Sequence, residues 1–201
     1  MIKLRVPRGE IRCSYRIFRE RSLFWAFRRE YGHNSDNVTS SGRIHGPTPE
    51  SSPVVLVDNA RYSVVCWTFN FQRSSGLWNA LHRAARRPEI TMKVYVDTNA
   101  ADGGRRSSSS PTTDEVAVHL KPALVLRTKS FDGRQIRNHS KFIPIDHRFL
   151  LVTSANFFWS AENANLEFGL LVDNPKLAES AERELRDAED MIFEDVQLMV
   201  E

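Results

Sequence analysis

Four polar side chains stand in a run of otherwise apolar, strand-like sequence, and their types suit an attack on a phosphate. They are His139, Lys141, Ser154 and Asn156. An imidazole supplies a nucleophile, a lysine supplies a fixed positive charge, and a hydroxyl and an amide supply hydrogen bonds to oxygen. Side chains two apart on a strand point to one face, so His139 and Lys141 should share a face, and so should Ser154 and Asn156. Only a short connection separates the two predicted strands, so the four side chains can converge at adjacent strand ends.

Residues from about 54 to 195 have the sequence pattern of one α/β domain. The strands and helices of this domain must position the four side chains. Runs such as "ITMKVYV", "ALVLRTK", "FLLVTSA" and "LEFGLLV" are apolar and rich in strand-forming residues. Between them, "SSGLWNALHRAARR" predicts a helix with a serine cap and with Leu77 and Leu81 on its buried face. A last helix is predicted from about Pro175, with a buried stripe at Leu177, Ala181, Leu185, Ala188 and Ile192. The pattern therefore predicts a sheet with helices on its faces.

The spacing of the polar residues is similar to a known signature. His139, Lys141 and Asp146 fit the pattern HxKxxxxD, "TSAN" follows at 153–156, and Glu167 lies in "NANLEFGLLV". This resembles the phospholipase D superfamily, whose signature is the HKD motif followed by a Gly-Ser-x-Asn stretch. The likeness is strongest over residues 138 to 174, and the order of strands and helices extends it to about 54 to 195. It implies a mixed sheet flanked by helices, with one HKD motif in this chain.

One position departs from the family pattern. Thr153 stands where the family usually has glycine. Threonine is larger but suits a strand, so a local change of packing is expected at this point, where the backbone would approach a phosphate.

The resemblance implies a mechanism and a role for each residue. His139 would attack the phosphorus of a phosphodiester and form a phosphohistidine, while Lys141, Ser154 and Asn156 hold the non-bridging oxygens. Glu167 would accept a hydrogen bond from the imidazole and fix its tautomer. Asp146 completes the catalytic motif, although its expected task is to tie strand to turn. The scheme needs no metal and no cofactor, and the sequence has no cluster of metal ligands.

The implied chemistry requires two histidines, and this chain has one motif. Neither His119 nor His147 combines a neighbouring lysine with a Ser-x-Asn stretch, so neither resembles the second histidine. By resemblance to single-motif members of the superfamily, we predict a homodimer in which two copies of His139 meet across the two-fold axis.

Charge and composition bear on the substrate and the compartment. The chain of 201 residues has a net charge of +3, and its first thirty residues hold nine Lys or Arg against three Glu. The two cysteines are far apart, and neither a signal peptide nor an apolar span of membrane length is evident. These features indicate a cytoplasmic protein without integral membrane association, and the basic residues favour a polyanionic partner.

The segment before the domain is divided into two parts. Residues 1 to 32 are basic and aromatic and predict a short amphipathic helix, which either packs on the domain or grips nucleic acid or an anionic membrane. Residues 33 to 53 are rich in Ser, Thr, Asn, Gly and Pro and predict a linker.

Nucleic acid is the favoured substrate. The stretch ahead of the motif, "RTKSFDGRQIRNH", carries four basic residues that suit a polyanion extending beyond the cleaved bond: Arg127, Lys129, Arg134 and Arg137. Solvated loop charges are the alternative explanation. The residues around the motif also resemble the phospholipase D-like component of anti-phage systems such as DISARM, which implies phage defence and partner proteins.

Two other functions remain open. One is a non-catalytic subunit that binds or scaffolds nucleic acid, and the other is a phospholipid hydrolase. Binding that survives His139→Ala without any cleavage would favour the first, and activity confined to lipid vesicles would favour the second.

Overall fold

The computed structural model describes residues 52–104, 107–154, 156 and 169–197, together with the backbone of the short strand at 43–44. The N-terminal segment, most of the predicted linker and Glu167 lie outside the described residues. In chain order the described elements are β1 (Arg43–Ile44), α1 (Pro53–Asp58), β2 (Ser63–Trp67), α2 (Gly76–Ala85), β3 (Thr91–Val96), α3 (Thr98–Asp102), α4 (Thr113–Leu120), β4 (Leu124–Thr128), β5 (Ser130–Phe131), β6 (Arg134–Gln135), β7 (Phe142–Ile145), β8 (Phe149–Thr153), β9 (Gly169–Asp173), α5 (Pro175–Ile192) and β10 (Phe193–Asp195).

The domain is built on a mixed sheet of eight strands in the order β1-β9-β8-β7-β2-β3-β4-β10. Strands β2, β3 and β4 are parallel neighbours, and β7, β8 and β9 continue the sheet as antiparallel neighbours of β2 and of one another. The pairing of Trp67 with Phe142 brings the end of β2 beside the start of β7. The ends of β2, β3, β4 and β8 and the starts of β7 and β9 therefore lie along one edge of the sheet, which we call the site edge.

Helices cover both faces of this sheet, as the sequence pattern predicts. On one face, side chains of α1, α2 and α4 pack on the sheet in the largest apolar cluster, around residues such as Val57, Leu81 and Leu120. On the other face, α5 packs Ala178, Ala181 and Leu185 against apolar side chains of the sheet. The predicted helix start at Pro175 is confirmed, and Asn174 caps it by accepting a hydrogen bond from the Leu177 amide at 3.2 Å.

Helix α2 also follows its prediction. Ser75 is its N-cap and accepts a hydrogen bond from the Leu77 amide at 3.2 Å. Leu77 and Leu81 are buried among the apolar residues beneath the helix. The periodicity of apolar residues was enough to define this face because every third or fourth side chain of a helix returns to the same side.

Two parts of the predicted linker belong to regular elements. Arg43 and Ile44 form the edge strand β1, whose partners on β9 are Asp173 and Val172. Pro53, the last residue of the predicted linker, is the first residue of α1. An edge strand needs only backbone groups from a neighbour, so a polar, glycine-rich segment can join a sheet without an apolar pattern of its own.

Candidate phosphodiesterase site

His139 and Lys141 lie in the loop that leads into β7, at the site edge. The prediction that they belong to the strand is wrong, since β7 begins at Phe142. They are nevertheless on the same side of the chain, because Nζ of Lys141 is 3.2 Å from Nδ1 of His139 and donates a hydrogen bond to the His139 carbonyl oxygen at 2.8 Å. His139 is exposed, whereas Lys141 is only 6% exposed. A positive charge thus sits beside an accessible imidazole.

This contact defines one tautomer of the imidazole. An ammonium group only donates hydrogen bonds, so Nδ1 of His139 is the acceptor and Nε2 carries the proton when the ring is neutral. Attack through Nε2 requires the other tautomer, with a proton on Nδ1. Glu167, the predicted partner of Nδ1, lies outside the described residues. A phosphate that draws Lys141 onto its own oxygens would release Nδ1 for this change.

Strand β8 ends at the site edge beside the start of β7, and the predicted phosphate-binding residues Ser154 and Asn156 follow it in the chain. The Thr153 amide donates to the Lys141 carbonyl oxygen at 2.9 Å, so Ser154 follows directly beside the lysine. Ser154 is exposed, and Asn156 is half-buried. The Oδ1 atom of Asn156 is buried and has no hydrogen-bond partner within the part of the chain that the structure describes. This oxygen can only accept hydrogen bonds, so the group of Asn156 that suits a phosphate oxygen is its Nδ2 donor.

Thr153 replaces the glycine of the family motif, and a glycine lies opposite it on the neighbouring strand. Thr153 is buried in β8 and stands opposite Gly169, the first residue of β9. A glycine directly across the ladder leaves room for the larger threonine side chain. This pairing is a physical reason why threonine is accommodated here.

Two residues that the sequence analysis missed hold the loop that carries His139. Asn138, which precedes His139, is 4% exposed, and both its amide oxygen and its amide nitrogen form hydrogen bonds. Its Oδ1 accepts from the indole of Trp67 and from the Ser140 amide, and its Nδ2 donates to the Thr68 carbonyl oxygen at 2.9 Å. The side chain thus replaces the strand ladder and fastens the loop to the end of β2.

Asp97, which follows β3, is the second of these residues. It is fully buried, and its carboxylate accepts hydrogen bonds from the Asn138 amide at 2.7 Å and from Nε of Arg137 at 3.1 Å. It also caps α3 by accepting from the Ala100 amide at 2.7 Å. A signal was present in the sequence, because an acidic residue just beyond a parallel strand lies at the edge where α/β proteins bind ligands.

The four basic residues predicted as a substrate approach are in different surroundings. Arg137 lies near His139, because its guanidinium carbon is 5.8 Å from the centroid of Phe69, whose ring is 5.0 Å from that of His139. Arg127 is paired with Glu194 of β10 at 2.8 Å, and Lys129 donates to the Asp190 carbonyl oxygen at 2.8 Å. Arg134 is exposed in the hairpin of β5 and β6. Arg137 is therefore the member of this group with a described contact to the site.

Asp146 is at the opposite end of β7 and does not contact His139. One carboxylate oxygen, Oδ1, accepts from the backbone amides of Arg61, Tyr62 and Ser63 at 2.9, 2.7 and 3.1 Å. Asp146 has a positive φ of 54° at the start of the turn between β7 and β8. The motif aspartate thus joins this turn to the start of β2.

We expect Asp146 to contribute to stability rather than to turnover. Asp146→Ala should lower the free energy of unfolding by about 2 to 3 kcal/mol, because three amides lose a charged acceptor and alanine disfavours positive φ. Asp146→Asn should lose less, since asparagine keeps an acceptor oxygen and tolerates this backbone conformation. Urea unfolding measures both changes. A folded Asp146→Asn protein whose turnover falls by orders of magnitude would contradict this assignment.

His119 and His147, the two histidines weighed as the second one that the chemistry requires, have structural partners. His119 of α4 stacks on Trp78 with ring centroids 3.8 Å apart, and burial lowers its pKa below the usual value. His147 lies 2.6 Å from the carboxylate of Glu182 on α5. Among the described residues, no three His, Cys, Asp or Glu side chains form a group that could hold a metal ion.

Comparisons with known proteins agree with this architecture. The family model described as "Cardiolipin synthase, PLD-like domain" matches residues 54–188, so the chain belongs to the phospholipase D superfamily. Nuc from Salmonella typhimurium, described as a phospholipase D family member, is 24% identical, with a TM-score of 0.59 over 79% of this chain and 99% of its own. No curated protein matches the sequence.

Two further solved structures share the fold at lower identity. NucT from Helicobacter pylori is 16% identical, with a TM-score of 0.54 over 76% of this chain and 97% of its own. Phosphatidylserine synthase from Haemophilus influenzae is 17% identical, with a TM-score of 0.52 over 71% of this chain and 36% of its own. Within the described part of the chain, no helix has the length and apolar content needed to cross a membrane.

Proposed function

We propose that this protein is a metal-independent phosphodiesterase that cleaves nucleic acid through a phosphohistidine. The observation that carries the proposal is the Lys141 ammonium held 3.2 Å from Nδ1 of an exposed His139 at the site edge. Ser154 and Asn156 follow β8 beside this pair. A fixed cation, a hydroxyl and an amide around one imidazole suit a phosphate on which negative charge develops during displacement.

The proposed reaction has two displacements. Nε2 of His139 attacks the phosphorus, the bond to the leaving oxygen breaks, and that oxygen takes a proton from a second histidine. Water then attacks the phosphorus, the N–P bond breaks, and the second histidine takes the proton of the water. Lys141 and Asn156 hold the non-bridging oxygens in both steps.

The second histidine is proposed to be His139 of another copy of the chain. His119 and His147 are engaged with Trp78 and Glu182, and neither lies in an HxKxxxxD motif. A two-fold axis would place two identical motifs face to face, so that each site uses one histidine as nucleophile and the other as acid.

Nucleic acid is favoured over lipid by Arg137 beside the site. The fold alone does not decide, but the likeness covers 99% of Nuc and 97% of NucT and only 36% of the phosphatidylserine synthase. We further propose a role in phage defence with partner proteins, supported by the residues flanking the motif that resemble the DISARM component. The basic N-terminal segment would add phosphate contacts in that setting.

The test is cleavage of labelled single- and double-stranded DNA and RNA in EDTA, by wild type and by His139→Asn. Asparagine is polar and smaller than histidine, so it fits in the same space, but it cannot form the phosphohistidine. We expect wild type to cut at least one of the four substrates and the variant to cut none. Binding without cleavage by both proteins would favour the non-catalytic subunit, and activity on lipid vesicles alone would favour the phospholipase.

A further inference from the structure

A cavity of about 520 Å³ lies at the site edge. The two proposed displacements at phosphorus do not use it. It is bounded by the loop after β2 and by α3 with the loop that follows, and both Phe69 and Arg137 line it. The Phe69 ring meets the His139 ring edge-on, with centroids 5.0 Å apart. The cavity therefore begins one side chain away from the proposed nucleophile.

The wall of this cavity has the chemistry of a site for a polar aromatic ligand. Its volume is within the range of small-molecule sites, roughly 300 to 1,000 Å³. It offers an aromatic ring at Phe69, a guanidinium at Arg137, and amides at Gln72 and Asn99. The only aliphatic side chain in the described lining is that of Ala100. Such a wall suits a nucleobase, which stacks on aromatic rings and bonds to amides, and offers little to an acyl chain.

The wall is also held in place before any ligand arrives. The single N–H at Nε of Arg137 is shared between the two oxygens of the buried Asp97 carboxylate, at 3.2 and 3.1 Å, and this contact orients the guanidinium. The Gly103 amide donates to the Asn99 carbonyl oxygen at 3.0 Å, and a Cβ at Gly103 would lie only 2.2 Å from that oxygen. The loop therefore closes tightly on the end of α3, and glycine is required there by close approach.

We propose that this cavity binds the nucleoside attached to the phosphate that His139 attacks. The base stacks on Phe69, its edge bonds to Gln72 and Asn99, and Arg137 lies between the base and the phosphate. The inference rests on the proposed phosphodiesterase function. It adds where the nucleoside of the substrate binds.

The test compares esters that share one scissile bond. The 3′- and 5′-(4-nitrophenyl phosphate) esters of thymidine carry a nucleoside, and methyl 4-nitrophenyl phosphate does not. Stacking of one base contributes roughly 1 to 3 kcal/mol, so wild type should prefer the better thymidine ester by about fivefold to a hundredfold in kcat/KM. Equal kcat/KM for the thymidine and methyl esters would overturn the nucleoside site while leaving the phosphodiesterase function intact.

Two variants place bulk or apolar surface in the cavity away from His139. A Cβ at Gly104 meets no atom within 4 Å, so Gly104→Trp should fold normally and fill space. Asn99→Leu removes an amide from the wall. Both should bring the thymidine-to-methyl ratio of kcat/KM toward one, while Asn79→Leu, an exposed amide on α2, keeps the wild-type ratio. An unchanged ratio in both cavity variants would place the nucleoside elsewhere.

A binding measurement separates this inference from the proposed activity. Thymidine monophosphate is titrated into the His139→Asn protein by calorimetry, with and without Gly104→Trp. Weaker binding in the double variant would support the cavity even if no ester is hydrolysed by wild type. Failure of His139→Asn to bind the nucleotide, or equal binding by both proteins, would overturn it.

Discussion

Replacing Lys141 by methionine should reduce phosphodiester hydrolysis by about a thousandfold or more and leave the protein folded. The lysine is nearly buried, and its Nζ is the cation closest to the His139 ring among the described contacts. Removal of one preorganised donor from an anion-stabilising site costs roughly a hundredfold to a thousandfold in turnover, and here a full charge is lost with the donor. Because the charge stabilises oxygens that become more negative during displacement, the loss should fall mainly on kcat.

Methionine is the suitable replacement because it keeps the length and most of the volume of lysine without the charge. Lys129→Met provides the matched control. Its Nζ donates to the last turn of α5, at the Asp190 carbonyl oxygen, and has no described contact with His139. The control should stay within about threefold of wild type in kcat. Steady-state rates with thermal unfolding of each variant give the comparison, and a Lys141→Met protein within tenfold of wild type would contradict the assigned role.

The elements whose side chains repeat at a regular period could be predicted from the sequence. Helix α5 begins at Pro175 as predicted, and its buried residues Ala181, Leu185 and Ala188 belong to the predicted stripe. The central strands were equally evident, because strands buried on both faces are nearly continuous runs of aliphatic residues. These parts of the fold are determined by which side chains are buried, and the spacing of apolar residues in the local sequence shows which those are.

The contacts that hold the loop of His139 could not be predicted in this way. Asn138 binds the ends of β2 and β3, with partners 71 and 43 residues away in the chain, and the sequence shows only an asparagine before a histidine. In the sequence, Arg127 has no visible acidic partner. Glu194 lies 67 residues further on and becomes its neighbour only because β10 pairs with β4. Long-range pairing of this kind depends on the sheet order rather than on any local pattern.

His139 and Lys141 are neighbours in the structure, as predicted, although they do not belong to a strand. The two side chains were placed on one face because they were assigned to a strand, but the loop takes its shape from the bonds of Asn138 and Asp97. The extended chain before β7 still sets Nζ of Lys141 within 3.2 Å of the His139 ring. A site that follows a strand end is thus formed by irregular backbone, which needs side-chain partners for its polar groups.

Wild-type protein mixed with a ninefold excess of His139→Asn should lose about nine-tenths of its activity per wild-type subunit. In the proposed dimer each reaction uses His139 from both chains, and random exchange leaves about one wild-type subunit in ten with a wild-type partner. The loss follows from pairing alone, because the variant neither cleaves nor alters the wild-type chain. Co-refolding the mixed chains ensures exchange, and light scattering measures the mass of the assembly.

The control is the same mixture made with a ninefold excess of Lys129→Met, an active variant whose subunits can complete a site. Its wild-type activity should be retained, which excludes dilution or co-refolding as the cause of a loss. A His139→Asn mixture that keeps full activity per wild-type subunit would show that one chain suffices. The acid that protonates the leaving oxygen would then have to come from the same chain, and a monomeric mass would identify the dimer proposal, rather than the histidine nucleophile, as the step that fails.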